Sequence, residues 1–172
     1  MSLPHSSSRT APSDLRALLP EVVAEVAEHA FFAWAEPCEP RAFADLVAAS
    51  DRSRATPAVW LCARVGFQGV VSGSLEVLLP VELARELGVA LTGGSASDGL
   101  TDQELHDVAG ELANMLCGVL LTRVDRRQAF ELRPPQVARV AGVREQAGRA
   151  DQDQFFCLND RPVAVRFGEC AP

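Results

Sequence analysis

The sequence predicts a single α/β (α+β) domain in which a β-sheet is packed by helices. Segments with apolar residues at three- and four-residue steps are separated by β-branched runs that Gly and Pro bound. The chain has 172 residues, enough for one sizeable core. Apolar residues make up 48% and charged residues 23%, a balance that argues against wholesale disorder.

The first predicted element is a helix that begins near Pro20 and runs to about Glu36, because apolar residues recur there at helical spacing. Pro37 is expected to end it. Residues 1–13 are rich in Ser and Pro and are expected to form a disordered leader. The folded domain is therefore expected to comprise residues 14–172.

The next segments predict a helix, two strands and a second helix. Ala42–Ala49 fits a short helix, and Ala58–Val65 fits a strand. Gly66–Gly69 is expected to form a turn before a second strand over Val70–Leu79. Val81–Leu91 then fits a short helix.

The longest predicted helix begins after Thr101 and runs to about Thr122. Thr101 suits the N-cap position, and Glu104, three residues later, completes a capping box. Three extended segments are expected to complete the sheet, the last two joined as a hairpin: Ala129–Val140, Gln154–Leu158 and Val163–Phe167.

The charge composition excludes several function classes. The 16 cationic residues face 23 Asp and Glu, and the net charge of −7 argues against nucleic-acid binding, which depends on cations that neutralise phosphates. All the cations are Arg, so Schiff-base chemistry and a P-loop are excluded. No apolar run is long enough for a transmembrane helix, so no membrane insertion is expected.

The cysteines and histidines predict neither a disulfide framework nor a metal site. The five cysteines are widely spaced and form no Cys-x-x-Cys pair. We expect reduced, mostly buried thiols in a cytoplasmic protein. His106 lies among acidic residues, but the chain has no His-Glu-x-x-His or paired-His spacing.

The helix from Asp102 to Thr122 carries the candidate site. At 100° per residue, one face is apolar and is expected to pack on the core: Leu105, Val108, Leu112, Met115, Leu116 and Val119. Four residues share an exposed stripe on the opposite side, here called the motif stripe: Asp107, Glu111, Asn114 and Gly118.

The residue types of the motif stripe suit contact with a partner. Glycine within a helix costs about 1 kcal/mol relative to Ala, and the bare backbone at Gly118 would allow another surface to approach closely. The Asn114 amide both donates and accepts hydrogen bonds, so it can hold a water molecule. Glu111 can anchor a cation. The alternative is a solvated helix face without a function.

The motif Asp107-x3-Glu111-x2-Asn114, within Glu-Leu-Ala-Asn-Met-Leu-Cys-Gly, resembles the signature helix of the CheC/CheX/FliY chemotaxis phosphatases. The order of the flanking elements fits that fold over residues 18–168. The motif occurs once, as in CheX-like members. The family pattern continues to a proline at a set distance beyond the Asn. Here Pro134-Pro135 follows Asn114 after slightly fewer residues than in that pattern.

The resemblance implies a phosphatase that hydrolyses the phosphoaspartate of a CheY-like receiver domain in two-component signalling. Asn114 would orient the attacking water and Glu111 would pair with a receiver lysine, while Asp107 and Gly118 would contact the partner. The enzyme would need no cofactor of its own, since the receiver supplies Mg²⁺. The resemblance also implies a homodimer. The alternative is a non-catalytic receiver-binding adaptor or an assembly module of the same fold.

Overall fold

Four helices and seven strands lie within the part of the chain that the computed structural model describes, residues 12–52, 58–69, 72–93, 99–124, 129–141, 143 and 153–169. In chain order they are α1 (Pro12–Phe31), β1 (Ala35–Cys38), α2 (Pro40–Arg52), β2 (Trp60–Gln68), β3 (Gly73–Pro80), α3 (Val81–Thr92), α4 (Asp102–Val124), β4 (Glu131–Leu132), β5 (Gln136–Val140), β6 (Asp153–Leu158) and β7 (Arg161–Glu169). The predicted α/β domain with a sheet packed by helices is confirmed.

The strands form one antiparallel sheet in the order β1-β6-β7-β3-β2-β4, and β5 also pairs with β2. The short strands β4 and β5 follow one another along the same side of β2. The Arg133 amide between them donates to the Gly66 carbonyl at 2.8 Å. The extended segment predicted over Ala129–Val140 is therefore confirmed and consists of two short strands.

The two faces of the sheet bury different sets of residues, because successive strand side chains point to opposite faces. Leu61, Ala63 and Val65 of β2 lie in the larger core together with the buried sides of α1, α3 and α4. Trp60 faces the other way and packs with Phe43 of α2. Helix α4 therefore lies on the opposite face from α2.

Helix α1 differs from the prediction at both ends. It begins at Pro12 and includes Pro20 in its interior, whereas the sequence predicted Pro20 in the first turn. It ends at Phe31, because Phe32 adopts φ 51° and turns the chain away from the helix. The predicted continuation to Glu36 is wrong. That segment forms β1, which pairs with β6, and Pro37 is tolerated because β1 is an edge strand.

The turn predicted at Gly66–Gly69 is also wrong, because β2 continues to Gln68. Phe67 is buried and lies opposite Gly73 in β3. A Cβ atom at Gly73 would lie 2.6 Å from the Phe67 ring, so this glycine makes room for the aromatic side chain. Residues 70–71, with which the second strand was expected to begin, lie outside the described residues.

The remaining elements agree closely with the sequence. Helices α2, α3 and α4 are present, α2 being longer than expected at both ends. The closing hairpin is confirmed, and its turn is formed by Asn159 and Asp160, both with positive φ, as a two-residue turn requires. None of the described helices combines the length and hydrophobicity that crossing a membrane requires. Residues 1–11 of the expected leader lie outside the described residues, and its last two residues begin α1.

Candidate functional site

The start of α4 is fixed by the predicted capping box. The Thr101 hydroxyl oxygen accepts a hydrogen bond from the Glu104 amide at 3.3 Å. The Glu104 carboxylate accepts hydrogen bonds from the Thr101 amide and from its hydroxyl, each at 2.7 Å. The hydroxyl bond and then the amide bond lower the pKa of Glu104, because both stabilise the carboxylate. Asp102, the first helical residue, pairs with Arg139 of β5.

The buried face of α4 is broader than the predicted apolar stripe. It includes predicted core residues and also small residues between them: Leu105, Val108, Ala109, Gly110, Leu112, Ala113, Leu116, Cys117, Leu120 and Leu121. Met115 and Val119, which the sequence assigned to the core face, are only partly buried. They lie at the border between the core and solvent because neighbouring α1 leaves their outer sides uncovered.

The four residues of the motif stripe lie on the outer side of α4. Asp107 and Glu111 are exposed, and Asn114 and Gly118 are half-buried. Asn114 is therefore less exposed than expected. The helix thus brings an acid and an amide, three residues apart, onto one surface.

Asp107 differs from Glu111 and Asn114 in its hydrogen bonding. Gln103 donates a hydrogen bond to Asp107 at 2.8 Å, so the first carboxylate of the stripe has a partner within α4. Among the residues that the structure describes, none forms a hydrogen bond or an ion pair with Glu111 or Asn114. Their polar atoms are available to water or to another molecule.

A shallow depression of about 420 Å³ lies beside Glu111, between α4 and the segment that leads into β5. Pro135 forms one of its walls. A Cβ atom at Gly110 would lie 3.2 Å from Pro135 Cγ, so Gly110 lets Pro135 approach the helix one residue before Glu111. Sequence reasoning missed this contact, although a second glycine inside the predicted helix was a signal for it. The proline that follows the motif slightly early is therefore packed against the motif helix.

Nucleophilic catalysis by the nearest thiol is disfavoured. Cys117 is buried in the core, and this burial raises its pKa to about 12. The side chain is consequently a neutral thiol at physiological pH. The described residues also contain no cluster of His, Cys, Asp and Glu that could hold a metal ion.

These features define a helix surface that carries an exposed carboxylate and a half-buried amide. A carboxylate can bind a cation, and an amide can orient a water molecule. The protein family follows from comparison with known sequences. The family model described as "Chemotaxis phosphatase CheX" matches residues 61–158, more than half of the chain. The chain belongs to the CheX family.

Solved structures show the same fold. The chemotaxis protein CheX from Vibrio vulnificus has a TM-score of 0.64 at 16% identity, covering 92% of this chain and 98% of that chain. CheX from Desulfovibrio desulfuricans has a TM-score of 0.61 at 18% identity, with coverages of 91% and 99%. A chain of the CheX–CheY–BeF3–Mg²⁺ complex from Borrelia burgdorferi has a TM-score of 0.53 at 14% identity, with coverages of 90% and 97%. No curated protein sequence matches the chain.

Proposed function

We propose that this protein is a phosphatase that hydrolyses the phosphoaspartate of a CheY-like receiver domain. The observation that carries the proposal is the pair Glu111 and Asn114, which α4 holds at the surface without partners among the described residues. Membership of the CheX family supports the same reaction class. The Borrelia burgdorferi complex joins CheX to CheY, which supports a response regulator as the partner.

In this proposal α4 docks at the phosphorylated cleft of the receiver. The Asn114 amide accepts a hydrogen bond from a water molecule and holds it in line with the bond between phosphorus and the aspartyl oxygen. The water oxygen attacks phosphorus, and the aspartyl oxygen leaves with the bonding electron pair. The products are inorganic phosphate, the free carboxylate and one proton released to solvent.

Positioning can account for the modest acceleration that such a reaction needs. Phosphoryl transfer is catalysed chiefly by alignment and electrostatic stabilisation, and an acyl phosphate is already reactive. The receiver's Mg²⁺ would neutralise phosphoryl charge, so this chain needs no cofactor of its own. Glu111 would pair with a receiver lysine and fix the docking orientation.

The acidic surface around the motif stripe favours such a partner. Glu104, Asp107 and Glu111 are all exposed on α4. Opposite charges across an interface accelerate association and select orientation more than they raise affinity. A cleft that carries a lysine would therefore be attracted to this end of α4, with Asp107 at the margin of the contact.

The test is to phosphorylate receivers encoded in the same genome and to follow phosphoaspartate decay with and without this protein. We expect the wild type to accelerate decay. Asn114→Ala should reduce the acceleration by about 100-fold or more, because the water loses its orienting group. Glu111→Ala should weaken it less. Asp45→Ala is the matched control, because it removes an exposed carboxylate from α2 on the other face of the sheet.

Unchanged decay of every receiver would contradict the proposal. Binding without hydrolysis would identify a non-catalytic adaptor instead. The homodimer and the cytoplasmic location stay predictions. Light scattering after size-exclusion chromatography would test the first, and cell fractionation would test the second.

A further inference from the structure

A pocket of about 420 Å³, here called the sheet pocket, lies on the face of the sheet that points away from the larger core. Arg64 and Gln68 of β2 point to this face, because they alternate with strand residues that lie in the core. Helix α2 covers the Trp60 end of the face, whereas Arg64 and Gln68 are exposed. The volume is within the range of small-molecule sites, roughly 300–1,000 Å³.

The lining of the sheet pocket carries positive charge. Two of the described residues that form it are arginines, Arg64 and Arg133, and none is Asp or Glu. Gln68, Gln136 and Ser72 add amide and hydroxyl donors. The chain as a whole has a net charge of −7, so the pocket opposes the general charge of the protein. The sheet pocket is therefore a local cationic surface that suits an anion.

Arg133 differs from the other described arginines of the strands. Each of those forms an ion pair: Arg64 with Glu76, Arg139 with Asp102, Arg161 with Glu86 and Arg166 with Asp153. The Arg133 side chain forms neither an ion pair nor a hydrogen bond with any described residue. Its position is nevertheless fixed, because its amide donates to the Gly66 carbonyl at 2.8 Å and its Cδ atom lies against Gly66. The side chain is thus held at the pocket without a counter-ion from the described part of the chain.

Arg64 also keeps a donor for a ligand. Its Nη2 donates to Ser74 Oγ at 3.2 Å, and its Nε lies 3.5 Å from the Glu76 carboxylate. Glu76 also pairs with Arg166 at 3.4 Å, so its charge is divided between two guanidiniums. The Nη1 group of Arg64 has no partner among the described residues. Neither Glu76 nor Glu131, which lies in the neighbouring strand β4, belongs to the described lining of the pocket.

Two guanidiniums with unused donors at one pocket fit a phosphate group. An Arg side chain can bind phosphate through two parallel N–H donors, and a phosphate monoester offers three terminal oxygens and close to two negative charges at neutral pH. A carboxylate has only two oxygens, which one guanidinium can satisfy. We propose that the sheet pocket binds a small organic molecule that carries a phosphate group, and that Arg64 and Arg133 bind the phosphate.

The rest of the pocket would hold the organic part of this ligand. A volume of about 420 Å³ exceeds what a phosphate group alone fills. Gln68 and Gln136 can donate and accept hydrogen bonds, so they suit the hydroxyl or ring nitrogen groups of an attached sugar or base. Pro134 adds an apolar wall.

The sheet pocket is separate from the motif stripe. Arg133 and Pro134 line the sheet pocket, whereas the next residue, Pro135, lines the depression beside Glu111. One segment of the chain therefore has the pocket on one side and the depression on the other. The inference does not rest on the proposed function, because binding at the sheet pocket should not need Asn114.

Isothermal titration calorimetry of the full chain with adenosine 5′-monophosphate (AMP), ribose 5-phosphate, inorganic phosphate and citrate tests the proposal. Arg133→Gln and Arg64→Gln each remove one guanidinium, and Arg133→Lys keeps the charge without the second donor. Arg41→Gln is the matched control, because it removes an exposed arginine of α2 that does not line the pocket. Asn114→Ala is the control for the motif stripe. Thermal melting reports the fold of each variant.

We expect the wild type to bind AMP about tenfold more tightly than inorganic phosphate, because only AMP fills the remaining volume. Arg133→Gln should weaken AMP binding by about tenfold or more without lowering the melting temperature, since it removes a charge-assisted pair of hydrogen bonds to the ligand. Arg133→Lys should recover part of this affinity. Arg41→Gln and Asn114→Ala should bind AMP like the wild type.

Several outcomes would overturn the proposal. One is that none of the three phosphate compounds binds. Another is that Arg133→Gln, correctly folded, binds AMP like the wild type, a result that remains decisive if Arg64→Gln fails to fold. A loss of AMP binding in Arg41→Gln or Asn114→Ala would place the ligand elsewhere on the protein. Citrate that binds as tightly as AMP would overturn the choice of phosphate, and equally tight inorganic phosphate would overturn the attached organic group.

Discussion

The two halves of α4 differ in the surroundings of the glycine that each contains. The N-terminal half is pinned by the capping box at Thr101, by the pair of Asp102 with Arg139, and by Pro135 packed on Gly110. The C-terminal half carries Gly118, where a Cβ atom would meet none of the described residues within 4 Å. One helix therefore contains a glycine against which Pro135 packs closely and a glycine without such a neighbour in the described part of the chain.

We infer from this difference that the two halves of α4 have different roles. Under the proposed function, Asn114 must be held rigidly to orient a water molecule, and the N-terminal half provides that support up to Glu111. The proposed docking surface must instead remain open until the partner arrives. Asn114 lies between the two regions, which suits a residue that is positioned by one and covered by the other.

The largest expected stability effect concerns Gly110. Gly110→Val should lower the free energy of unfolding by about 2 kcal/mol, because the new side chain collides with Pro135 in a packed interface. Urea denaturation measures the change. Gly118→Val is the matched control and should lower the free energy of unfolding much less, since its Cβ atom would meet none of the described residues within 4 Å. Equal losses at both sites would break the comparison between the two halves.

The next largest effect on stability is expected from the capping box. Thr101→Ala removes the side-chain acceptor for the Glu104 amide and one hydrogen bond to the Glu104 carboxylate. We expect a loss of about 1 kcal/mol, the usual effect of deleting an N-cap, measured by urea denaturation. Thr122→Ala at the other end of α4 is the control, because its hydroxyl only donates back to the Gly118 carbonyl. A larger loss of unfolding free energy in Thr122→Ala would contradict the conclusion that the capping box stabilises the N-terminal half of α4.

A stabilising change is expected at Gly118. Gly118→Ala should raise the free energy of unfolding by up to about 1 kcal/mol, because Ala has the higher helix propensity and its Cβ atom would meet none of the described residues within 4 Å. Calorimetric melting would show the higher midpoint. A lower midpoint would mean that the fold does require this glycine, and the contrast with Gly110 would disappear.

The smallest effect is a pH dependence at the start of α4. Thr101 holds the pKa of Glu104 below its ordinary value of 4.5. The ionised Glu104 carboxylate therefore stabilises the folded state at pH values above 4.5. This stabilisation is lost as the pH falls through the lower pKa that Glu104 has in the folded state. Wild type and Glu104→Gln should differ most in unfolding free energy above pH 5 and converge in acid. In a Thr101→Ala background the pH dependence of this difference should shrink, and an unchanged dependence would contradict the assigned cause.

The local features of the candidate site were predictable from the sequence. Helical spacing placed the motif stripe on one face of α4, and the capping box located the first turn. Both depend on residues within four positions of one another. The exposed sides of Met115 and Val119 were not predictable, because they depend on how closely α1 approaches. Asn114 was expected to be exposed and is half-buried.

Extended segments were harder to delimit than helices. Gly66–Gly69 was predicted as a turn because two glycines usually interrupt a strand, yet Phe67 draws this segment into the core. Trp34 was predicted within the first helix because it follows the helical spacing. The chain instead turns at Phe32, and the Trp34 amide donates to the Asn159 side chain at 3.0 Å. A partner so far along the chain cannot be read from a local pattern.

The sequence by itself determined the fold class, the motif helix with its cap, and the acid and amide that α4 presents. These follow from backbone geometry and side-chain spacing, which act between near neighbours. Tertiary structure alone decided that Pro135 fills the space at Gly110 and that none of the described residues fills the space at Gly118. Both results depend on segments that are distant in sequence, and only packing brings such segments together.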